Sequence, residues 1–195
     1  MIDPRDITKY NRTQSELEEL LLFSVAVAGK TASTIAKQLD HFLSLERRGV
    51  TPFAKIRNMV QDKMLLNNLR KSKIGKYTVL SKAYKQLAFA NIDLRKCEVK
   101  DLERFMGIGS KTSRFFILHT RPKVRLAVLD THILKWMSGF IQGVPKSTPS
   151  KKKYLQLEQQ FLNYCDSAHI EPAKLDLMIW NEYSNKNKNL GVKPQ

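Results

Sequence analysis

Only two cysteines occur in the sequence, Cys97 and Cys165. That is too few for a four-cysteine zinc or iron-sulfur site or a disulfide framework, so a reducing compartment is expected. Long hydrophobic runs are also missing. The most apolar stretch, residues 20–28 (LLLFSVAVA), is far shorter than the roughly 20 residues a membrane-crossing helix needs. The opening MIDPRDITKY has no apolar core of the kind a secretion signal carries. These absences predict an intracellular protein, cytoplasmic (nucleoid) or nuclear, without a membrane partner. Period-two alternation is nearly absent as well, and only KVRLAVLD, residues 123–130, invites an extended path.

Acidic residues are scarce: 18 Asp and Glu stand against 34 Lys and Arg, a formal charge of +16 and a pI near 9.9. The excess is spread along the chain. Such a field concentrates polyanions, so nucleic acid is the favoured partner, with anionic membrane and ribosome as the bland alternatives. At 195 residues the chain suits one domain or two small subdomains packed together.

What is abundant is helical periodicity. Thr13 or Ser15 can cap a helix reaching about residue 28, with Glu16, Glu18 and Glu19 near its positive end and Gly29 beyond it. Because Leu17, Leu20, Leu21, Leu22, Phe23, Val25 and Val27 leave its second half without a polar face, this helix is expected to be central and buried. Further helices are predicted at about 31–45, 52–60, 62–70, 76–90, 99–105, 110–120, 131–143, 150–168 and 172–183. Between them, KSKIGK and GVPKSTPSKKK read as loops, and NKNKNLGVKPQ as a frayed tail. The fold class is therefore all-α.

The most informative stretch is LERFMGIGSKTSRFFILHT, residues 102–120, in which Gly107-Ile108-Gly109 joins two helices. Glycine makes so tight a turn at little cost, and its bare backbone lets consecutive N–H groups approach an anion. The positive end of the following helix adds to this, so a phosphate can dock on Gly107, Ile108, Gly109, Ser110 and Thr112. Ile108 is expected to anchor the two helices to each other. A glycine-flanked turn of structural purpose has the same look, so the hairpin alone does not decide. Downstream comes RLAVLDTHILKWM, residues 125–137, which places Asp130 19 positions after Lys111.

GIGSKT followed by LDTHILKW resembles the paired signature of the helix-hairpin-helix DNA glycosylase superfamily, which includes endonuclease III and the 8-oxoguanine glycosylases. The matching core covers about residues 102–137. By position, Lys111 falls where the bifunctional, strand-cleaving members hold a nucleophilic lysine, and Asp130 where the superfamily holds its catalytic aspartate. The chain departs from endonuclease III in lacking the four-cysteine cluster. It also carries Met106 where proline often precedes the hairpin. The resemblance implies two helical subdomains with a cleft between them: residues 1–22 with 133–195, and residues 23–132 carrying the helix-hairpin-helix at about 99–120. It implies a base-excision repair glycosylase with AP lyase activity, acting as a monomer on double-stranded DNA and removing an oxidised purine such as 8-oxoguanine. Excision of another lesion, a mismatch or a modified base stays open, and so does a non-catalytic DNA-binding module.

Physical chemistry is consistent with these roles. An amine attacks only when unprotonated, so a lysine nucleophile needs surroundings that disfavour its ammonium form. The first turn of a helix capped by Ser110, with Arg114 one turn on, is expected to supply them. Asp130, just before a helix, can accept backbone N–H bonds as an N-cap. Taken alone it reads as an ordinary cap; the pairing with Lys111 and the hairpin adds the catalytic role. His132 is expected as a supporting or core histidine. No metal site and no cofactor are expected, beyond a monovalent cation at the hairpin backbone.

Chemistry on a base also requires its extrusion, hence a wedge and a pocket. Lys30, in the Gly29-Lys30-Thr31 turn, is the wedge candidate, although a lysine after a helix-ending glycine is common. Asp176 and Trp180, four apart on the last helix, resemble the base-reading pair of archaeal 8-oxoguanine glycosylases. Trp136 and Phe140 border the pocket or fill core. Arg114, Arg121, Lys123, Arg125, Lys71, Lys73, Lys76 and Lys151 to Lys153 offer phosphate contacts, although most of them read equally as solvated surface. If roughly six phosphates are neutralised, affinity falls about a thousandfold between about 50 and 200 mM salt.

Overall fold

The computed structural model describes residues 1–186. Among them are ten α-helices and no strand: α1 (Gln14–Ala26), α2 (Ala32–Ser44), α3 (Pro52–Gln61), α4 (Leu65–Lys71), α5 (Tyr77–Phe89), α6 (Val99–Glu103), α7 (Ser110–Thr120), α8 (Thr131–Met137), α9 (Lys151–Ser167) and α10 (Pro172–Lys186). Within this range no helix is long and apolar enough to cross a membrane. Most of the predicted tail, from residue 187 on, lies outside the described residues.

Helix α1 begins in a capping box: the Thr13 hydroxyl accepts from the Glu16 amide at 3.3 Å, and the Glu16 carboxylate accepts from the Thr13 amide at 2.6 Å. Lys9 lies 2.5 Å from the same carboxylate. Its hydrogen bond, followed by the Thr13 backbone bond, holds Glu16 down to a pKa of about 2. Beyond the cap, Leu20, Leu21, Leu22 and Ala26 have no exposed surface, and α2, α3, α5 and α7 surround the helix. Polar groups that this placement buries find partners. Glu18 accepts from the Phe53 amide at 2.9 Å, and Tyr84 donates to the Leu22 carbonyl at 3.0 Å.

Two predicted helix bounds shift for identifiable reasons. Helix α4 starts at Leu65 rather than 62, because Lys63 turns left-handed at φ 59° and the Met64 amide closes onto the Met59 carbonyl at 2.7 Å. Helix α8 stops at Met137 rather than 143, because Ser138 and Gly139 break the ladder and the Gly139 amide turns back to the Trp136 carbonyl at 3.1 Å.

Buried side chains form two main clusters. One gathers Ile2, Ile7 and the apolar faces of α1 to α7. The other gathers Ala127, Leu129 and the inner faces of α8, α9 and α10. The buried side chains of residues 1–22 lie in the first cluster, with those of α2 to α7. A small third cluster, Leu118, Val128 and Ala173, joins the two halves.

The join is the irregular stretch between α7 and α8. Its inner amides have no strand to pair with, and α9 side chains take that place. Glu158 accepts from the Ala127 amide at 2.9 Å. Tyr154 accepts from the Leu129 amide at 3.0 Å and donates to the Ala127 carbonyl at 2.8 Å. KVRLAVLD is therefore neither helix nor strand: Lys123 turns left-handed at φ 59°, the Asp130 amide closes onto the Val128 carbonyl at 2.7 Å, and side chains satisfy the amides between.

Candidate active site

The hairpin between α6 and α7 is tight for reasons internal to the fold on one side and open on the other. Ile108 is buried, and its amide donates to the Phe105 carbonyl at 3.1 Å. Gly107 adopts φ 79°, and a Cβ there would meet Val25 Cγ1 at 3.3 Å, so the position requires glycine. Gly109 differs. Its backbone is in the extended region, and a Cβ would meet nothing within 4 Å. Gly109, not Ser110, is the N-cap of α7, and no side chain caps the helix. Ser110 instead donates to Glu103 at 2.9 Å, and Thr112 is buried. Gly109→Ala is accordingly expected to leave stability within about 0.5 kcal/mol of the parent. Duplex binding should fall roughly tenfold if a phosphate approaches this bare backbone, which a paired thermal melt and fluorescence titration would read.

Lys111 sits in the first turn of α7, half-buried, with Nζ 5.1 Å from the centre of the Phe115 ring. Among the described residues its amine has no hydrogen-bonding or ion-pair partner. Asp130 caps α8: Oδ1 accepts from the His132 and Ile133 amides at 2.8 and 3.0 Å. Both groups lie close enough to Asp176 on α10 to act on its titration. Burial, the largest influence, raises the Asp176 carboxyl above the usual range; the His119 hydrogen bond and charge oppose it, Asp130 adds to the rise and Lys111 subtracts from it. Lys111, Asp130 and Asp176 therefore share one electrostatic neighbourhood. Asn caps as well as Asp, so Asp130→Asn is expected to keep stability unchanged. Any step that uses the carboxylate should slow by at least about a hundredfold, measurable as single-turnover base release.

The family model described as 8-oxoguanine DNA glycosylase, of the helix-hairpin-helix type, matches residues 5–170. The chain belongs to this family. It is 40% identical over 87 residues to an 8-oxoguanine DNA glycosylase/AP lyase of Thermoplasma volcanium, covering 44% of this chain and 41% of the relative. To the enzyme of the same description from Methanocaldococcus jannaschii it is 28% identical over 182 residues, covering 87% of this chain and 81% of the relative. The chain spans about two fifths of the length of the Thermoplasma relatives it matches. The crystal structure of the M. jannaschii 8-oxoguanine glycosylase/lyase with 8-oxoguanine-containing DNA superposes with a TM-score of 0.67 at 24% identity, covering 90% of this chain and 84% of that one. That likeness establishes the all-helical fold.

Within this glycosylase-family fold, the remaining expected site residues have the following surroundings. Trp136 and Phe140 face α9: the Trp136 ring lies 4.8 Å from Phe140, 4.8 Å from Tyr164 and 6.1 Å from Phe161. They form an aromatic cluster with Tyr164 and Phe161. Trp180 is half-buried one turn after Asp176, outside the fully buried core. Lys30 folds back to donate to the Ile74 carbonyl at 2.5 Å, while Lys76 donates to the Ala28 carbonyl, so the two loops clasp each other. The amine offered as a wedge is thus engaged within the protein.

Arg114, expected to face phosphate and to press on Lys111, turns inward. Its guanidinium donates to Glu158 at 2.8 and 3.2 Å and lies 4.6 Å from the centre of the Tyr154 ring. Arg121 donates to the Leu94 carbonyl at 3.1 Å, and Arg125 pairs with Asp166 at 2.8 Å. Neither of the two described cavities, about 430 and 460 Å³, is lined by Lys111 or Asp130. Within the described residues no group of three or more His, Cys, Asp or Glu side chains is arranged to hold a metal ion. The sequence reading also missed His119, Thr8, Glu158 and Tyr154. For His119, Glu158 and Tyr154 the signal was polarity on the buried faces of α7 and α9; Thr8, in the segment before α1, carried none.

Proposed function

We propose that the chain is a DNA glycosylase with AP lyase activity that acts on double-stranded DNA containing an oxidised purine, 8-oxoguanine being the first substrate to test. The observation that carries this reading is the placement of Lys111. Its amine lacks an ion-pair partner, stands beside the open side of the hairpin, and shares the neighbourhood of Asp176 with the Asp130 carboxylate. The hairpin backbone takes a phosphate next to the lesion, with room there for a monovalent cation; the reaction requires neither a metal nor an organic cofactor.

With the nucleotide extruded, the neutral Lys111 amine attacks C1′ of the sugar, and the bond from C1′ to the base nitrogen breaks with its electron pair leaving on the base. Asp130 accepts the proton lost by the amine, or balances positive charge growing on the sugar ring. Ring opening gives a Schiff base between Lys111 and C1′. Loss of a C2′ proton then expels the 3′ phosphate and nicks the strand. One monomer on one duplex, inside the cell, suffices for this chemistry.

The test is borohydride trapping on a panel of duplexes, each with one lesion or a preformed abasic site. A covalent adduct on 8-oxoguanine duplex is the expected result. Trapping on another base only would redirect the substrate. Duplex binding without any adduct would make the chain a non-catalytic module.

A further inference from the structure

Behind the reacting groups lies a buried polar chain that the chemistry above does not use. His119, at the end of α7, has no exposed surface. Its Nε2 is 3.0 Å from Asp176 Oδ2, and its Nδ1 is 2.7 Å from the Thr8 hydroxyl. The N-terminal segment grips the same residue a second time, the Lys9 amide donating to the His119 carbonyl at 3.1 Å. Phe115 stands edge-on to the His119 ring at 4.9 Å and carries the Lys111 amine on its own face. Lys111, Phe115 and His119 thus form one stripe along α7 that ends on Asp176. Such a chain is costly to assemble, since each polar group had to leave water.

We infer that His119, backed by Thr8, is a positioning residue of the base pocket: it holds Asp176 Oδ2 and balances that carboxylate's charge, so that Oδ1 is presented to an N–H of the extruded base. This rests on the reading of the chain as a base-excising enzyme. Three features support it. Among the described residues Oδ1 has no hydrogen-bond partner, whereas Oδ2 has His119. Trp180, one turn along α10 and half-buried, offers a ring on which the same base can stack. The Thr8 hydroxyl, 2.7 Å from His119 Nδ1, fixes the ring so that Nε2 stays aimed at Asp176 Oδ2.

The surroundings of Asp176 show why a balancing group is needed. From α7 it faces His119 and Lys111, and from the start of α8 the Asp130 carboxylate. On α9, Tyr154 and Cys165 both feel its charge. Burial and Asp130 drive Asp176 toward its protonated form, and His119 is the first of the influences that oppose them. Without His119 the carboxyl takes up a proton at higher pH and stops accepting from a base N–H. Attack by Lys111 on an already abasic sugar needs no such reading.

The test compares the parent with His119→Gln, Thr8→Val and Asp176→Asn. Two rates are measured between about pH 5.5 and 9: single-turnover base release from 8-oxoguanine duplex, and strand cleavage at a preformed abasic site. The Asp176 carboxyl carbon is followed by NMR titration of the unliganded protein. For His119→Gln, the ratio of base release to abasic cleavage should fall about tenfold near pH 6 and recover toward pH 9, one unit of displacement being one decade. Its carboxyl resonance should titrate at higher pH than the parent's. Thr8→Val should move both in the same direction by less, and Asp176→Asn should give a low ratio at every pH.

An unchanged ratio, or one that falls equally at all pH values, overturns the inference. If His119→Gln does not fold, Thr8→Val decides, and a carboxyl titration identical to the parent's overturns it. A parent that releases no base while its Asp176 titration responds to Thr8→Val removes the enzymatic reading and leaves the His119–Asp176 coupling standing.

Discussion

Lys111→Ala is expected to abolish the borohydride-trapped adduct and to slow strand cleavage by roughly 10³- to 10⁶-fold, the range found when a covalent nucleophile is removed. The effect should be confined to chemistry. Among the described residues the Lys111 amine has no ion pair, and it stands over the Phe115 ring, 5.1 Å from its centre. A cation–π contact at a partly exposed site contributes about 0.5–1 kcal/mol, so the variant should melt within a few degrees of the parent. Alanine is well tolerated inside a helix, and the cap of α7 is the Gly109 backbone, which the substitution does not touch. Duplex affinity should also persist, because the hairpin amides are main chain. A variant that melts and binds like the parent yet forms no adduct identifies the nucleophile. Normal trapping by the alanine variant would transfer the role to another amine.

Reading periodicity along the chain located the elements well and the contacts between them poorly, for a physical reason. Helices announce themselves through neighbours three and four apart, so α1, α2, α7 and α9 are visible in Leu, Ile and Phe spacing, and Asp130 is visible as a cap because the cap lies within three residues of its donors. The same logic overran at α8, where the apolar pattern through Phe140 and Ile141 continues past the backbone break at Gly139. Pairings across long separations leave no local mark. Arg114 and Glu158 are 44 residues apart, His119 and Asp176 are 57, and Thr8 and His119 are 111. Arg114 consequently looked like one more surface cation in a chain of charge +16. A stricter reading of α7 would have noticed that Ser113, Arg114 and His119 fall among Phe116, Ile117 and Leu118, and that buried polar groups require partners. The contact of Lys30 was invisible for a related reason: its partner is a carbonyl 44 residues away, and carbonyls leave no mark in composition.

The largest effect on stability is expected at one of these unseen pairs. Glu158 is 9% exposed at its side chain and Arg114 8%. The carboxylate accepts two bonds from Arg114 and one from the Ala127 amide. Glu158→Ala leaves the Ala127 amide and two Arg114 N–H groups buried without their acceptor, while the guanidinium keeps Glu103 and the Ser110 carbonyl, both at 3.3 Å, so the defect is expected at the lower end of the range for a broken buried pair, about 3 kcal/mol. For a chain of this size that is a fall in melting temperature of roughly 10 °C. Replacing both partners, as in Arg114→Met with Glu158→Leu, removes the stranded charge and should recover a substantial part of the loss. The Ala127 amide still lacks its partner in that pair, which limits recovery. A single-variant loss below about 1 kcal/mol would show that water reaches the pair and that it acts as a surface ion pair. The pair also sets catalytic geometry, because Arg114 belongs to the helix that carries Lys111, and Ala127 to the connecting stretch that ends at Asp130. Glu158→Gln keeps an acceptor for the amide but loses the charge on the Arg114 side. It should therefore lower activity in proportion to the lost registration of the two reacting groups, read as a slower single-turnover rate in protein that is still folded.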